Sequence, residues 1–306
     1  MNTQEMIEQL KREKDAVILA HYYVEPKVQA VADYVGDSFY LSKLAAGLPN
    51  KTLVFCGVSF MGEGGKLLSP DKTVLMPDLE ADCPMAHMVS KEMVQAARQE
   101  YSDLAVVCYV NSTAEIKSWA DVCVTSSNAV KIVENLPNQH ILFIPDKNLA
   151  RYVAEQVPQK HILIPDGYCP VHDQMKAEEI KAQKELHPKA KVLAHPECNR
   201  AVLELADYIG STSGIIDYAK KSSEDEFIIA TEAGVLYELQ KKRPDAKFYL
   251  AKTLPVCEGM KRITLEGILH VLRTGEHALQ VEEALAKPAG ETLKRMLALA
   301  SGKGQS

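Results

Sequence analysis

The sequence is short of the features that suit a chain to large charged or apolar partners. Lysine and arginine number 35 against 41 acidic residues, a net charge of −6 with a pI near 5.9. Nothing in that balance draws the chain to nucleic acid or to an anionic membrane. No apolar run approaches the roughly 18 residues that argue a membrane span. The N-terminal stretch MNTQEMIEQLKREKD is charged and helix-prone, without the apolar segment of a targeting signal, so a soluble cytoplasmic protein is expected. There is no low-complexity linker. Cysteine is scarce as well: seven residues are too few, and odd in number, for a disulfide scaffold, and in a reducing compartment they point to metal binding or plain burial. What is present, in 306 residues of which 46% are hydrophobic, is enough apolar material for packed cores. Small molecules are the partners this composition leaves.

The chain repeats itself. Ala32-Asp33-Tyr34 returns as Ala120-Asp121-Val122 and Ala206-Asp207-Tyr208, at spacings of 88 and 86 residues. The same offsets align AVILAHYY with AVVCYVNS and KVLAHPEC, bringing His21, Tyr109 and His195 into register. They also align LVFCGVSFM with ILFIPDKNL and FIIATEAGV, and TVLMPD with HILIPD and KFYLAK. Each unit reads as a β-branched run, a helix such as 26–33, a brief strand such as 34–36, a helix opening near Ser38, and two further strand-helix steps. Strands alternating with helices in this way predict βαβ crossovers and a parallel sheet covered on both faces. The expected fold is α/β: three homologous three-layer α/β/α domains at 1–84, 85–170 and 171–259, arranged with pseudo-threefold symmetry. The helix-forming stretches of 260–306 are expected to return onto the first. Three units that each bury a core are expected to share a site at their junction.

Cys83, Cys169 and Cys257 occupy matching places, 86 and 88 residues apart, in ADCPM, GYCPVH and LPVCEGM. Each follows the fourth predicted strand of its unit, and ligands of parallel α/β sheets gather at the carboxyl ends of strands. Three thiolates meeting on one axis suit a 4Fe-4S cluster whose fourth iron stays open to substrate, whereas a structural zinc wants a fourth protein ligand. Any one of these cysteines alone would read as an ordinary loop residue; the threefold match is what favours ligation. Cys56, Cys108 and Cys123 lie inside apolar strand runs and read as small buried hydrophobes, and packing is also the simpler reading of Cys198.

Seventeen residues after His21, Tyr109 and His195 stand Ser38, Ser126 and Thr212. A hydroxyl there is expected to cap the second helix of its unit, and the exposed N–H groups of a helix start also attract carboxylates or phosphate. Past the first strands come His21-Tyr22-Tyr23, Tyr109-Val110-Asn111 and His195-Pro196-Glu197, groups able to hold carboxylates and move protons, with Glu197 the natural base. His87, His161, His270 and His277 are left without a role, a lone histidine being more often structural.

Taken as a set, LAHYY, GDS, YVNST, TSSNA, CPVH, HPEC, GSTSG and the three cysteines resemble the quinolinate synthase A family, from about residue 17 to about residue 260. Each motif alone is weak. The resemblance implies an enzyme of NAD biosynthesis that condenses iminoaspartate with dihydroxyacetone phosphate to quinolinate, phosphate and two waters. It implies a 4Fe-4S cluster on Cys83, Cys169 and Cys257, its open iron a Lewis acid in dehydration. It assigns substrate binding to His21, Ser38, Tyr109, Val110, Asn111, Ser126, His195, Pro196, Glu197 and Thr212, with Glu197, Tyr23, His195 and His21 catalytic. Iminoaspartate would come from an aspartate oxidase or dehydrogenase. Where some members carry a Cys-x-x-Cys-x-x-Cys run ending at the third ligand, this chain has Ala251 and Leu254, so no regulatory disulfide is expected. The rival from another class is an iron-sulfur carrier or electron-transfer protein, which has no need of a His-Pro-Glu motif. A dicarboxylate bound beside the cluster would separate the two. Zinc on the three thiolates is a third reading, separable by metal analysis.

Overall fold

The computed structural model describes residues 2–302. Among the described residues, twelve strands form three separate sheets. The first holds β1 (Ala16–His21), β2 (Tyr34–Gly36), β3 (Thr52–Cys56) and β4 (Thr73–Leu75). The second holds β5 (Ala105–Tyr109), β6 (Val122–Val124), β7 (His140–Ile144) and β8 (His161–Leu163). The third holds β9 (Lys191–Ala194), β10 (Tyr208–Ile209), β11 (Glu226–Ala230) and β12 (Lys247–Leu250). Each sheet has its strands in the spatial order second, first, third, fourth, and every pair is parallel. Helices cover both faces, which is the expected three α/β/α layers, and the central β1 and β5 are buried along their whole length, as parallel strands sandwiched between helices must be.

The repeated Ala-Asp pair has a physical cause. In each unit the aspartate reaches back to the first strand: Asp33 Oδ2 accepts from Ile18 N at 2.8 Å, Asp121 from Val106 N at 2.7 Å, and Asp207 from Val192 N at 2.8 Å. The aspartate's own N–H returns a bond to the carbonyl of that same residue, at 3.0, 2.9 and 2.8 Å. Two bonds per unit thus tie the start of the first strand to the entry of the second, satisfying a backbone donor that the short second strand leaves unpaired.

The C-terminal segment extends beyond the first unit. The helix Leu265–Thr274 packs on the N-terminal helix Thr3–Glu13, and Leu279 N bonds Val74 O at 2.8 Å, covering the open edge of β4. The long helix Glu283–Ala300, expected to return onto the first unit, lies against the helix Ser59–Leu68 of that unit and also against β6 and the helix Ala114–Ser118 of the second. Its buried face, including Ala289, Leu293 and Met296, is apolar along enough of its length to serve both.

Candidate active site

The segments that follow β1, β5 and β9 open onto one cavity. It is lined by His21, Tyr23, Ser38 and Cys83 from the first unit, Tyr109, Asn111, Ser126 and Cys169 from the second, and His195, Glu197, Thr212 and Cys257 from the third. Twelve of the residues singled out in the sequence therefore meet in one place. Val110 and Pro196 are buried but do not line this cavity; Val110 instead faces a small hollow beside Phe60 and Lys117. Both sit in the bend or turn just past β5 and β9, where the chain leaves the sheet.

The hydroxyls are not the caps they were expected to be. Asp37 caps the helix Ser38–Gly47 by accepting from Tyr40 N, and Ser211 caps the helix Thr212–Lys221 by accepting from Gly214 N. Ser38 and Thr212 are the first helical residues, one place later, so their hydroxyls are free to face the cavity. In the second unit the helix begins only at Ala129, and Ser126 sits in the turn before it. An N-cap needs extended backbone and reach to the third N–H, and the residue before each hydroxyl meets that condition in the first and third units.

Each cysteine loop is clamped to the end of the third strand of its unit. Ser59 N bonds Ala81 O at 2.7 Å, Lys147 N bonds Gly167 O at 2.7 Å, and Ala233 N bonds Pro255 O at 2.9 Å, so the carbonyl two residues before each cysteine is fixed. In two units a fully buried carboxylate adds a second bond: Cys169 N donates to Asp146 Oδ2 at 3.1 Å and Cys257 N to Glu232 Oε1 at 3.2 Å. The matching position of the first unit is Val58, and there Ser59 Oγ holds Asp82 Oδ1 at 2.5 Å instead. Burial pushes the Cys83 thiol up to about 12 and raises Cys169 and Cys257 too. All seven cysteines are unbridged.

Glu197 sits at the centre of a buried hydrogen-bond chain. Its Oε2 is 2.8 Å from His172 Nδ1 and 3.3 Å from His195 Nδ1, and Asn111 Nδ2 approaches Oε1 at 3.4 Å. Burial opposes ionisation, but His195 and His172 outweigh it and hold the Glu197 carboxyl well below the usual carboxylate range. From His172 the chain continues: Nε2 lies 2.9 Å from Thr231 Oγ1, which lies 2.7 Å from the Tyr23 hydroxyl, itself 2.7 Å from Thr212 Oγ1. Burial raises Tyr23 well above an ordinary phenol, so it stays protonated. Burial, with His195 beside it, pulls His21 down to about 3. The Tyr23 N–H donates to His21 Nδ1 at 3.1 Å, which places the proton of the neutral ring on Nε2. Cys169, His172 and Glu197 each bring a donor atom within 4.8 Å of the others.

A family model described as "Quinolinate synthetase A protein" matches residues 5–298 of the chain. The chain belongs to this family. A quinolinate synthase of Fusobacterium nucleatum is 52% identical over 294 residues, covering 96% of this chain and 98% of the relative. Quinolinate synthases of Clostridioides difficile and Methanosarcina barkeri are 49% and 47% identical, each over 296 residues, covering 97% and 96% of this chain and 97% of either relative. The chain is an enzyme of this family, and among the described residues no helix is long and apolar enough to cross a membrane.

Reasoning from sequence missed His172 and Glu232, which line the cavity, and Asp146, which holds the Cys169 loop beside it. His172, fully withdrawn from solvent, had a signal in the Cys-x-x-His spacing of CPVH, which the threefold pattern obscured because no other unit repeats it. Asp146 and Glu232 are 86 residues apart, the same offset that relates the second and third units, but Val58 breaks the match in the first.

Proposed function

We propose that this chain condenses iminoaspartate with dihydroxyacetone phosphate to quinolinate, phosphate and two waters, without net redox change, in the de novo synthesis of NAD. One 4Fe-4S cluster would be held by Cys83, Cys169 and Cys257. The observation that carries this reading is the meeting, in one cavity, of one free thiol from each unit with a buried Glu197 held by His172. The donor set fits the group: three thiols are the number that leaves one iron of a cubane open, and burial that disfavours each bare thiolate is offset when a cation takes the sulfur. When bound, the cluster supplies a Lewis acid that polarises a substrate oxygen for dehydration.

The remaining tasks belong to side chains of the chain. Ser38 and Thr212, at the starts of two helices, and Ser126 in its turn would bind the carboxylates of iminoaspartate. His21, a neutral Nε2–H donor, Tyr109 and Asn111 complete the grip, with Val110 and Pro196 setting the course of the backbone. The enamine carbon of iminoaspartate displaces phosphate. Glu197, ionised at neutral pH, then takes a proton from the carbinol carbon while protonated Tyr23 gives one to the ketone oxygen; return of the proton from Glu197 to the former ketone carbon, with loss of the other hydroxyl proton to Tyr23, leaves an aldehyde, and His195 steadies the Glu197 charge. Closure of nitrogen on the resulting carbonyl and loss of two waters finish the ring. The cytoplasm is the compartment this reading implies, with an aspartate oxidase or dehydrogenase delivering the imine as it forms.

The test is an anaerobic assay of cluster-reconstituted protein with iminoaspartate generated in place. Quinolinate that appears only with dihydroxyacetone phosphate, and only at about four irons per chain, supports the proposal. A full cluster without quinolinate overturns it in favour of a carrier.

A further inference from the structure

One corner of the cavity has the makings of a second kind of metal site. His172 Nδ1 is 3.2 Å from Cys169 Sγ and 2.8 Å from Glu197 Oε2, and the three donor atoms all fall within 4.8 Å of one another. A four-coordinate ion with bonds of roughly 2.0–2.3 Å has ligand-to-ligand edges of roughly 3.3–3.7 Å, so His172 Nδ1 needs to part from the other two donors by only a few tenths of an ångström, and Cys169 and Glu197, no more than 4.8 Å apart, need to settle at a similar edge. The set is thiolate, imidazole and carboxylate, the mixture that zinc and cobalt accept.

The surrounding shell is already in place. A ligating histidine normally commits its second nitrogen to an acceptor, which fixes ring and tautomer; His172 Nε2 has Thr231 Oγ1 at 2.9 Å. The Cys169 N–H is held by Asp146 at 3.1 Å, and Asn148 Nδ2 holds the Glu197 carbonyl at 3.0 Å. Cys83 and Cys257 are not needed. They belong to the same cavity but to other loops, and neither falls within the three-donor group.

We propose that the cluster-free chain binds a single divalent zinc or cobalt ion at Cys169 Sγ, His172 Nδ1 and Glu197, with water as fourth ligand. The ring proton passes from Nδ1 to Nε2, where the Thr231 hydroxyl rotates to accept it, and the Cys169 thiol proton leaves, so one proton is released per ion bound. Because Cys169 would also ligate the cluster, the two occupancies exclude each other. The single ion takes one cluster ligand and the proposed base together, which makes zinc supply a brake on cluster assembly.

Cobalt(II) is the probe. Full-length protein freed of cluster by anaerobic chelation is expected to saturate at one cobalt per chain, with thiolate-to-cobalt charge transfer, intense four-coordinate ligand-field bands and one proton released. His172→Ala abolishes these bands, Cys83→Ser and Cys257→Ser leave them unchanged, and Thr231→Val weakens binding roughly 10- to 100-fold, as loss of an outer-shell partner does. Circular dichroism checks the fold, and Thr231→Val, which keeps side-chain volume and lies outside the ligand set, carries the test if His172→Ala misfolds. Bands that survive His172→Ala in folded protein, bands lost in Cys83→Ser, wild-type affinity in Thr231→Val, or cobalt uptake by cluster-loaded protein would each overturn the proposal.

Discussion

Asp146 is where a small change should have the most legible effect on the cysteine loops. Its two carboxylate oxygens are divided between two donors: Oδ1 caps the helix Lys147–Gln156 by accepting from Leu149 N at 2.6 Å, and Oδ2 accepts from Cys169 N at 3.1 Å. Asp146→Asn keeps the shape but leaves one oxygen and one amide nitrogen. The shorter cap bond is expected to keep the oxygen, so the Cys169 N–H faces another donor and loses its partner. A buried donor without a partner costs about 1–3 kcal/mol, equivalent to a roughly 5- to 150-fold rise in the weight of displaced loop arrangements. The Lys147–Gly167 backbone bond remains, so the loop loosens without coming free. Two assays read this: the denaturant midpoint of cluster-free protein, which should fall, and iron and sulfide per chain after anaerobic reconstitution, which should fall with it or be lost faster in air. If the variant matches wild type in both, the buried carboxylate does not hold the cysteine loop and the clamp is only the backbone bond.

Other outcomes follow from the same geometry. Glu197→Gln should retain its iron and lose turnover by roughly 10²- to 10⁴-fold, the span of a general base; turnover at the wild-type rate would remove Glu197 from proton transfer. Gly259→Ala should impair both folding and iron loading, because a Cβ there runs into the Asp82 carbonyl oxygen, forcing apart the loops that carry Cys83 and Cys257 at a cost of about 1–3 kcal/mol; unchanged iron content would show that the packing of those loops does not set iron binding. His21 gives a pH signature. Its folded pKa is pulled down to about 3 from an ordinary value near 6.5, so the unfolded chain takes the proton first. Stability present above about pH 6.5 is lost as pH falls toward 3, by up to ~1.4 kcal/mol per pH unit. The denaturant midpoint of His21→Gln should decline less steeply across that window, and parallel declines would refute the assignment.

The fold was legible because one βαβ design is written three times, and the Ala-Asp pair is visible in sequence for the same reason that it is useful in structure: each aspartate must reach the same strand residue. The cavity was legible wherever threefold repetition brings a side chain to it from each unit, as with Cys83, Cys169 and Cys257. It was obscured where a single unit carries it. His172 has no counterpart in the hydrogen-bond chain that joins Glu197 to Tyr23, so no repeat pointed to it. The capping residue was misplaced by one position because Asp37 and Ser211 differ in type, whereas the hydroxyls after them do not. Side chains of Val110 and Pro196 were grouped with their neighbours, although both lie in the turns past β5 and β9 and do not line the cavity. The reach of the last helix across two units depends on tertiary packing that its own amphipathic pattern does not specify.

The central claim is that three matched cysteines, and not the other four, hold one cluster. Counting iron and acid-labile sulfide in anaerobically reconstituted single-cysteine variants tests it most directly. The account predicts that Cys83→Ser, Cys169→Ser and Cys257→Ser each lose the wild-type stoichiometry of about four irons, while Cys56→Ala and Cys198→Ala, at buried positions whose thiols burial has raised, keep it. Full iron in any of the first three, or loss in Cys198→Ala as complete as in Cys169→Ser, would contradict it.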